Sequence, residues 1–397
     1  MPEQTAVGLS GIILTGGLAT RMRPLSLDCS KSMLPFLGRP LLAYLLRDIS
    51  SSGLIRKVLL THPGKNDDIR RYFGDGADCG VPLEYCASRR WSGTAGAVLS
   101  LLAESPQALS SPFLVVYGDS LLRMNYRALL DFHIENDASM TIACHRPRFD
   151  AFLFEDNSSD RQRTNFGIAE LGPNGLVTRF EEKPCLNTIT TSFINPVANA
   201  AVYVIDPRAL QAVPRPENST FDFAYHVIPW LIENGERVAG LDIDPGFRVD
   251  IGTLPHYLSL QLETLRGNVQ MHDAGEIFPG SQRAIIDSSA TLVPPFVLGN
   301  GAEIRGGAVL ESSILGDRVV IESGAHIRES VILADAVVGA RAVIDGSILG
   351  PHTQISSGAI VPRGTVISAW SRIGGPELLL VKDVVRGLIF DDSGGLK

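Results

Sequence analysis

The chain predicts two architectures in series: an α/β domain on a mostly parallel, Rossmann-like sheet, followed by a left-handed parallel β-helix. Three observations carry this expectation. From Gly8 to about Arg266, short apolar runs alternate with amphipathic stretches, the pattern of strands crossed over by helices. The first apolar run, Gly11-Ile12-Ile13-Leu14, leads straight into the Gly16-Gly17 pair, so a buried strand ends in a loop at the sheet edge where such folds place ligands. Beyond about Gln270 an internal repeat takes over. Ser313-Ile314-Leu315, Ser330-Val331-Ile332 and Ser347-Ile348-Leu349 recur every 17 residues.

In chain order, strand candidates Gly11–Leu14, Lys57–Thr61, Pro82–Cys86, Phe113–Tyr117 and Ser139–Cys144 are separated by helix candidates Leu41–Ser51, Asp67–Phe73, Ala95–Leu102 and Tyr126–Asn136. From Phe166 to Val204 the pattern turns to short strands, as for an inserted substrate-binding layer, and polar Asn157–Arg163 reads as a flexible loop placed for a lid. In the repeat, Leu315, Ile321 and Ile327 are followed by Ile332, Val338 and Ile344, then by Leu349, Ile355 and Val361. The steps are six, six and five, and Ile286, Leu292, Leu298, Ile304 and Leu310 keep the step upstream. One inward aliphatic residue per short face makes triangular coils, whereas an antiparallel sandwich would alternate with period two. The expected divisions are an α/β domain over 1–266, a linker over 267–284, the hexapeptide-repeat β-helix over 285–370 and a tail over 371–397.

The 397 residues suffice for two or three domains, with 45% hydrophobic and 20% charged residues. A net charge of −8 argues against broad nucleic-acid or anionic-membrane binding, so any phosphate site must be a local positive patch. The five cysteines (Cys29, Cys79, Cys86, Cys144 and Cys185) are odd in number, irregularly spaced and without a C-x-x-C, which fits free thiols in a reducing cytoplasm. No signal peptide or long apolar span is apparent. The expectation is a cytoplasmic protein with no nucleic-acid and no membrane partner.

The stretch from Thr15 to Pro35 concentrates the chemistry. Glycines let the backbone bend and let an anion approach its N–H groups, and Arg21, Arg23 and Lys31 add three positive charges nearby. Arginine offers a bidentate fork for phosphate and lysine a point charge. The pattern describes a polyphosphate site; a tight turn with surface charges is the alternative. No Gly-Lys-Ser/Thr or G-x-G-x-x-G occurs at the spacing of a Walker loop or a dinucleotide fingerprint. Two acids follow apolar runs, Asp119 in Tyr117-Gly118-Asp119-Ser120 and Asp250 in Arg248-Val249-Asp250-Ile251-Gly252-Thr253. One or two carboxylates plus substrate phosphates suit Mg²⁺; a helix cap is the alternative for each.

Thr15-Gly16-Gly17-Leu18-Ala19-Thr20-Arg21-Met22-Arg23-Pro24-Leu25, followed by Ser30-Lys31-Ser32, resembles the signature of the sugar-phosphate nucleotidyltransferases, G-G-x-G-T-R-x-x-P-L and then P-K-P. Ala19 stands at the family's third glycine, and Ser30 and Ser32 at its two prolines. The resemblance implies transfer of a nucleotidyl group from an NTP to a sugar 1-phosphate, with pyrophosphate released. It implies catalytic roles for Arg21 and Lys31, and nucleotide binding by Gly16, Gly17, Leu18, Ala19 and Thr20. Gly93 and Thr94, in Gly93-Thr94-Ala95-Gly96, match the G-T-A-G element of the nucleoside pocket; Thr94 as a simple N-cap is compatible with this. Asp119 and Asp250 match the family's Mg²⁺-binding acids. Glu182-Lys183-Pro184 matches E-K-P, and with Gly167 and Asn199 implies the sugar-phosphate site. Ala201 stands where the family has glycine, and Arg248 and Leu254 depart from the pattern around Asp250.

The layout resembles the family's forms with a C-terminal β-helix, the GDP-mannose pyrophosphorylases and the long glucose-1-phosphate thymidylyltransferases. A mannose- or hexose-1-phosphate guanylyltransferase is the first expectation. A thymidylyl- or adenylyltransferase, an unusual sugar or a cyclitol phosphate, and a non-catalytic regulatory subunit remain alternatives. The β-helix is expected to serve homo-oligomerisation, as dimer or tetramer. An acyltransferase role there would draw on His326 or His352 as base.

Overall fold

The computed structural model describes residues 8–17, 19–62, 68–87, 92–104, 109, 112–146, 163–216, 220–243, 247–269, 283–374 and 384–385. Leu18, most of the Asn157–Arg163 loop, most of the 267–284 linker and the Leu378–Val381 run lie outside the described residues, as does the side chain of Asp250. In chain order the elements begin with β1 (Leu9–Leu14), the short strands β2 (Pro35–Phe36) and β3 (Arg39–Pro40), α1 (Leu41–Ser51), β4 (Ile55–His62), α2 (Asp68–Phe73), β5 (Leu83–Ala87) and α3 (Thr94–Glu104). There follow β6 (Phe113–Tyr117), β7 (Ser120–Arg123), α4 (Tyr126–Glu135), β8 (Met140–His145), β9 (Gly167–Leu171), β10 (Val177–Glu182), α5 (Leu186–Ser192) and β11 (Pro196–Ile205). The α/β part closes with α6 (Pro207–Ala212), α7 (Ile228–Glu233), β12 (Val238–Asp242), β13 (Phe247–Asp250) and α8 (Leu254–Leu265). Among the described residues no helix is long and apolar enough to cross a membrane.

The chain divides into two compact units, one of residues 1–17 and 42–250, the other of 18–41 and 251–397. The first is built on a nine-stranded sheet with the central order β6-β1-β4-β5. These four strands are parallel, and the central runs of β1 and β6 are apolar because both sheet faces are covered there. Ile12, Leu14 and Val115 join Val98, Leu101 and Leu102 of α3 in one core. The Phe166–Val204 segment, expected as a separate layer, instead continues this sheet. Ten-residue β11 runs antiparallel to β6, β8 and β9, and β10 pairs with β9. An antiparallel neighbour needs no crossover helix, so a short-strand pattern extends a sheet as readily as it starts a new one.

Residue Ala201 explains an irregularity in β11. The register against β8 shifts between Asn199 and Tyr203, and Ala201 takes φ 55° there. This is a β-bulge, a device that re-aims side chains beside functional sites and usually employs glycine at its left-handed position.

The second unit carries the left-handed parallel β-helix, whose three sheets each stack parallel strands coil on coil. Ile304, Ile321, Val338, Ile355 and Ile373 follow one another in register, and the expected aliphatic column from Leu298 to Val361 is buried. At the first coil it is not: Ile286 is 43% exposed. The five-residue face saves one residue by a tight corner at Ser313, Ser330 and Ser347, all fully buried. Each hydroxyl donates to the carbonyl two residues back, those of Glu311, Arg328 and Asp345. The Ser330 and Ser347 amides donate to the hydroxyl one coil below, at 3.1 and 3.2 Å. A fully satisfied polar ladder thus replaces an inward aliphatic where the coil is too narrow for one.

The same face is apolar outside as well as inside. Val297, Ile314, Val331, Ile348 and Val366 point outward yet are at most 6% exposed. Ile348 and Val366 line a cavity of about 320 Å³ together with Leu254, Pro255, Leu258 and Leu262 of α8. The signal was in the sequence as paired aliphatics, Ile314-Leu315, Val331-Ile332 and Ile348-Leu349, because a strand covered on both faces loses its alternation. Helix α8 also holds the segment that follows Lys31. The Tyr257 hydroxyl donates to the Pro35 carbonyl, and the Leu37 amide donates to Gln261 Oε1 at 2.9 Å.

Candidate active site

In the first unit, the expected residues fall into three groups. At the end of β1, Gly17 takes φ 141°, and no described atom lies within 4 Å of where a Cβ would stand on Gly16 or Gly17. Those glycines leave open space over the backbone, the requirement for close approach of a ligand. Gly118 has the opposite environment. Its amide donates to the Leu14 carbonyl at 2.9 Å, and a Cβ there would come within 2.9 Å of Ile13 and 3.0 Å of Thr15. The Gly118-Asp119 turn is therefore seated on the end of β1. Next, β13 pairs antiparallel with β7, and its register sets Asp250 opposite Ser120, the residue after Asp119. The backbone brings the two acid positions side by side, although they are 131 residues apart in sequence. One or two carboxylates with phosphate and water suffice for a divalent cation, so the backbone register is compatible with the expectation for these two acids.

The second group comprises Gly167, Glu182, Lys183 and Asn199. Glu182 pairs with Gly167 across β10 and β9, and the Phe180 ring at 2.3 Å and the Glu182 carboxylate at 2.7 Å fill the space a Cβ on Gly167 would need. Ala198 pairs with Ile168 across antiparallel strands, so Asn199, one residue on, and Gly167, one residue back, come next in adjacent strands. Lys183 takes φ 51°, an unfavourable backbone for a long side chain and one that concentrates at functional sites. Its ammonium lies 3.7 Å from Glu182, and its carbonyl accepts from Arg163 Nη1 at 3.2 Å.

The third group is Gly93 and Thr94 at the start of α3. Gly93 takes φ 89°, and a Cβ there would lie 2.4 Å from the Phe221 carbonyl oxygen, so its smallness serves packing against Phe221. Thr94 does not cap the helix with its own side chain. Asp222 does so from 128 residues away, its Oδ1 accepting from the Thr94 amide at 2.9 Å and from the Thr94 hydroxyl at 3.0 Å. The Phe221 carbonyl accepts from the Gly96 amide at 2.9 Å. Spacing alone could not find a cap so distant in sequence.

In the second unit, Ala19 takes φ 43° and precedes a short 3-10 turn over Thr20–Met22. Its carbonyl accepts from the Met22 amide and from the Ser26 hydroxyl at 2.9 and 2.8 Å. The Arg21 guanidinium reaches Gly252, where a Cβ would stand 3.7 Å from Nη1; Gly252 is two residues beyond Asp250 in the chain. Lys31 opens a 3-10 turn whose N-cap, Ser30, has φ −63° and ψ 143°, the angles a proline would hold. Ser32 is 2% exposed, and its hydroxyl finds no hydrogen-bond partner among the described residues. In the β-helix, His352 stacks on Trp370 with centroids 3.8 Å apart, and His326 lies on an outward strand position. Neither lines the cavity beside α8.

Comparison with known proteins matches these features to a family. A nucleotidyl transferase family profile covers residues 10–267, and a GMPPB C-terminal domain profile covers residues 292–385. A mannose-1-phosphate guanylyltransferase of Mycobacterium tuberculosis is 28% identical over 79% of this chain and 81% of its own length. A UTP–glucose-1-phosphate uridylyltransferase of Synechocystis is 23% identical over 77% and 82%. A glucose-1-phosphate adenylyltransferase of Trichlorobacter lovleyi is 26% identical over 96% and 95%. The glycine loop at the end of a parallel strand, the paired acid positions and these matches lead to one conclusion: the chain belongs to the nucleotidyl transferase family, as a sugar-1-phosphate nucleotidyltransferase with a C-terminal β-helix.

Proposed function

We propose that the chain is a mannose-1-phosphate guanylyltransferase-like enzyme, forming an NDP-mannose and pyrophosphate from GTP and mannose 1-phosphate. The observation that supports the transfer chemistry is the β7–β13 register, in which Asp250 pairs with Ser120, the residue after Asp119. The guanine and mannose assignments draw on the GMPPB-type C-terminal domain and on the name of the M. tuberculosis relative. The uridylyl- and adenylyltransferase relatives supply the second reading, another base with glucose 1-phosphate.

In this reading a phosphate oxygen of the sugar phosphate attacks the α-phosphorus in line, one P–O bond forming as the bond to pyrophosphate breaks. Positioning and charge stabilisation supply the catalysis, with no covalent protein intermediate. The backbone of Gly16, Gly17, Leu18, Ala19 and Thr20 receives the nucleotide phosphates. Arg21 stabilises charge on the leaving pyrophosphate, and Lys31 contacts the phosphates of the attacked nucleotide. Gly93 and Thr94 line the nucleoside pocket. Lys183 meets the 1-phosphate, while Glu182, Asn199 and Gly167 shape the sugar site. Asp119 and Asp250 would hold Mg²⁺, which when bound neutralises and orients phosphate oxygens. The protein works as a cytoplasmic homo-oligomer in this reading.

Calorimetry tests the assignment. GTP should bind in Mg²⁺ more tightly than in EDTA, and Asp119→Asn should abolish that difference. Equal GTP affinity with and without Mg²⁺ would remove Asp119 and Asp250 from the metal site.

A further inference from the structure

One stretch of extended chain is laid along the turn that opens α3. The Phe221 amide donates to the Ser92 carbonyl at 3.0 Å, and the Phe221 carbonyl accepts from the Gly96 amide at 2.9 Å. Between these two bonds, Asp222 Oδ1 accepts from the amide and from the hydroxyl of Thr94, at 2.9 and 3.0 Å. The Phe223 amide donates to the same hydroxyl at 3.1 Å. Three consecutive residues thus clamp the Ser92–Gly96 turn through every one of these bonds.

The clamp is anchored in the core. Asp222 has an extended backbone, φ −119° and ψ 147°, so the side chains before and after it leave on the opposite side. Phe221 and Phe223 are at most 3% exposed and share a core with Val98 and Leu101 of α3. With both flanking rings held, the Asp222 carboxyl stays on Thr94.

Asp222 stands at the N-cap position of a turn of its own, the π-helical Phe223–Val227. An aspartate there ordinarily accepts from the first amides of its own turn. Among the described residues this one makes no such bond. His226 closes the entry to the turn instead, its Nδ1 accepting from the Asp222 amide at 3.1 Å, in the manner of a capping box with π spacing. The carboxyl is thereby freed for a helix 128 residues away. A π turn is itself a distortion frequent at functional sites.

The same bonds set what the turn can accept. Thr94 gives its one hydroxyl proton to Asp222 and takes the Phe223 amide on its oxygen, so this side chain has no proton left to offer a ligand. The Thr94, Gly96 and Ala97 amides donate to Asp222, Phe221 and Gly93. A carboxyl group also occupies the helix end that would otherwise draw an anion. The turn is therefore closed to phosphate, and what it presents to a nucleotide is a fixed shape.

We propose that Asp222 is a positioning residue for the nucleotide substrate, holding the Gly93-Thr94 turn in the shape that receives the nucleoside. It acts through the two hydrogen bonds at Oδ1, without touching the substrate. The inference rests on the functional reading above, in which Gly93 and Thr94 line the nucleoside pocket.

The test follows pyrophosphate release by the full chain in Mg²⁺, with KM taken separately for GTP and for mannose 1-phosphate, beside thermal unfolding of each variant. Asp222→Ala leaves the Thr94 amide and hydroxyl without their acceptor, and should raise KM for GTP about tenfold. KM for mannose 1-phosphate should stay within about twofold and kcat within about threefold. Asp222→Asn keeps an oxygen for both donors, and its KM for GTP should stay within about threefold of the parent. Asp222→Glu keeps the charge but moves the oxygens by one methylene, and should behave as Asp222→Ala does; it carries the test if the alanine variant does not fold. A merely structural role lowers the melting temperature and leaves the ratio of the two KM values unchanged. That result, or an Asp222→Asn variant as impaired for GTP as Asp222→Ala, overturns the proposal and leaves the functional reading standing. A parent chain that neither binds GTP or another NTP nor releases pyrophosphate overturns the functional reading, and this inference with it.

Discussion

Replacing Ala19 by glycine should stabilise the protein, and the same change at Ala201 should not. Both alanines stand where the family signature has glycine, and both hold a left-handed backbone, φ 43° and φ 55°. A left-handed non-glycine residue costs roughly 1–2 kcal/mol. Glycine relieves that strain but frees the unfolded chain, which takes back about 0.5–1 kcal/mol. At Ala19, which is part-exposed, the balance is a gain of about 0.5–1 kcal/mol. Ala201 is 7% exposed, so its glycine variant also loses a buried methyl worth about 0.8 kcal/mol, and the sum falls near zero. The assay is thermal unfolding of the two single variants beside the parent. A gain of about 1–3 °C is expected for Ala19→Gly and no resolved change for Ala201→Gly. The carbonyl of Ala19 already accepts two hydrogen bonds, so the loop keeps its shape and kcat should stay within about twofold of the parent. A lower melting temperature for Ala19→Gly would refute the strain argument, and a large gain at Ala201 would refute the methyl accounting.

Asp119→Asn should lower kcat by at least about 100-fold while leaving the melting temperature within a degree or two; a kcat within threefold of the parent would show that Asp119 only shapes its turn. Burial lifts the Asp48 carboxyl to about 6 from 3.8, against the opposing hydrogen bond from the Tyr126 hydroxyl. The folded state therefore holds a proton that the unfolded state has released, and stability falls as pH rises from about 4 to about 6. Asp48→Asn should flatten that slope in denaturant titrations and stabilise the protein above pH 6 by about 2–3 kcal/mol; an unchanged slope would contradict the raised pKa. Ser330→Ala leaves the Ser347 amide and the Arg328 carbonyl without this hydroxyl and should destabilise the β-helix by about 2 kcal/mol. A neutral result in urea unfolding would mean that the ladder contributes nothing beyond packing.

How much of this was legible in the sequence depends on how local each signal is. The repeat was fully legible because a β-helix writes its period into consecutive residues, and Ile321, Val338 and Ile355 stack as the spacing requires. Helix α1 and strand β6 fall on their expected bounds, since apolar periodicity is a short-range signal. The extension of the sheet through β9, β10 and β11 was not legible, because short antiparallel strands carry no mark of which sheet they join. Nor was the cover that α8 provides for the Ile348–Val366 face, although the aliphatic pairs hinted at a second buried side. In the candidate site, the Gly16-Gly17 loop and the two acids were visible as motifs. The tertiary cap on Thr94 by Asp222 joins residues 128 positions apart, and no spacing rule reaches that far. Positive φ at Ala19, Lys183 and Ala201 was equally hidden, because none of these residues advertises a left-handed backbone.

The central claim is nucleotidyl transfer to a sugar 1-phosphate, and pyrophosphate release measures it most directly. The purified full chain would be assayed in Mg²⁺ with each of ATP, GTP, CTP, UTP and dTTP against a panel of sugar 1-phosphates that includes mannose and glucose 1-phosphate. The account predicts release that requires both substrates, is greatest for GTP with mannose 1-phosphate, and leaves a matching nucleotide sugar detectable by mass spectrometry. No pyrophosphate above background with any pair would contradict it.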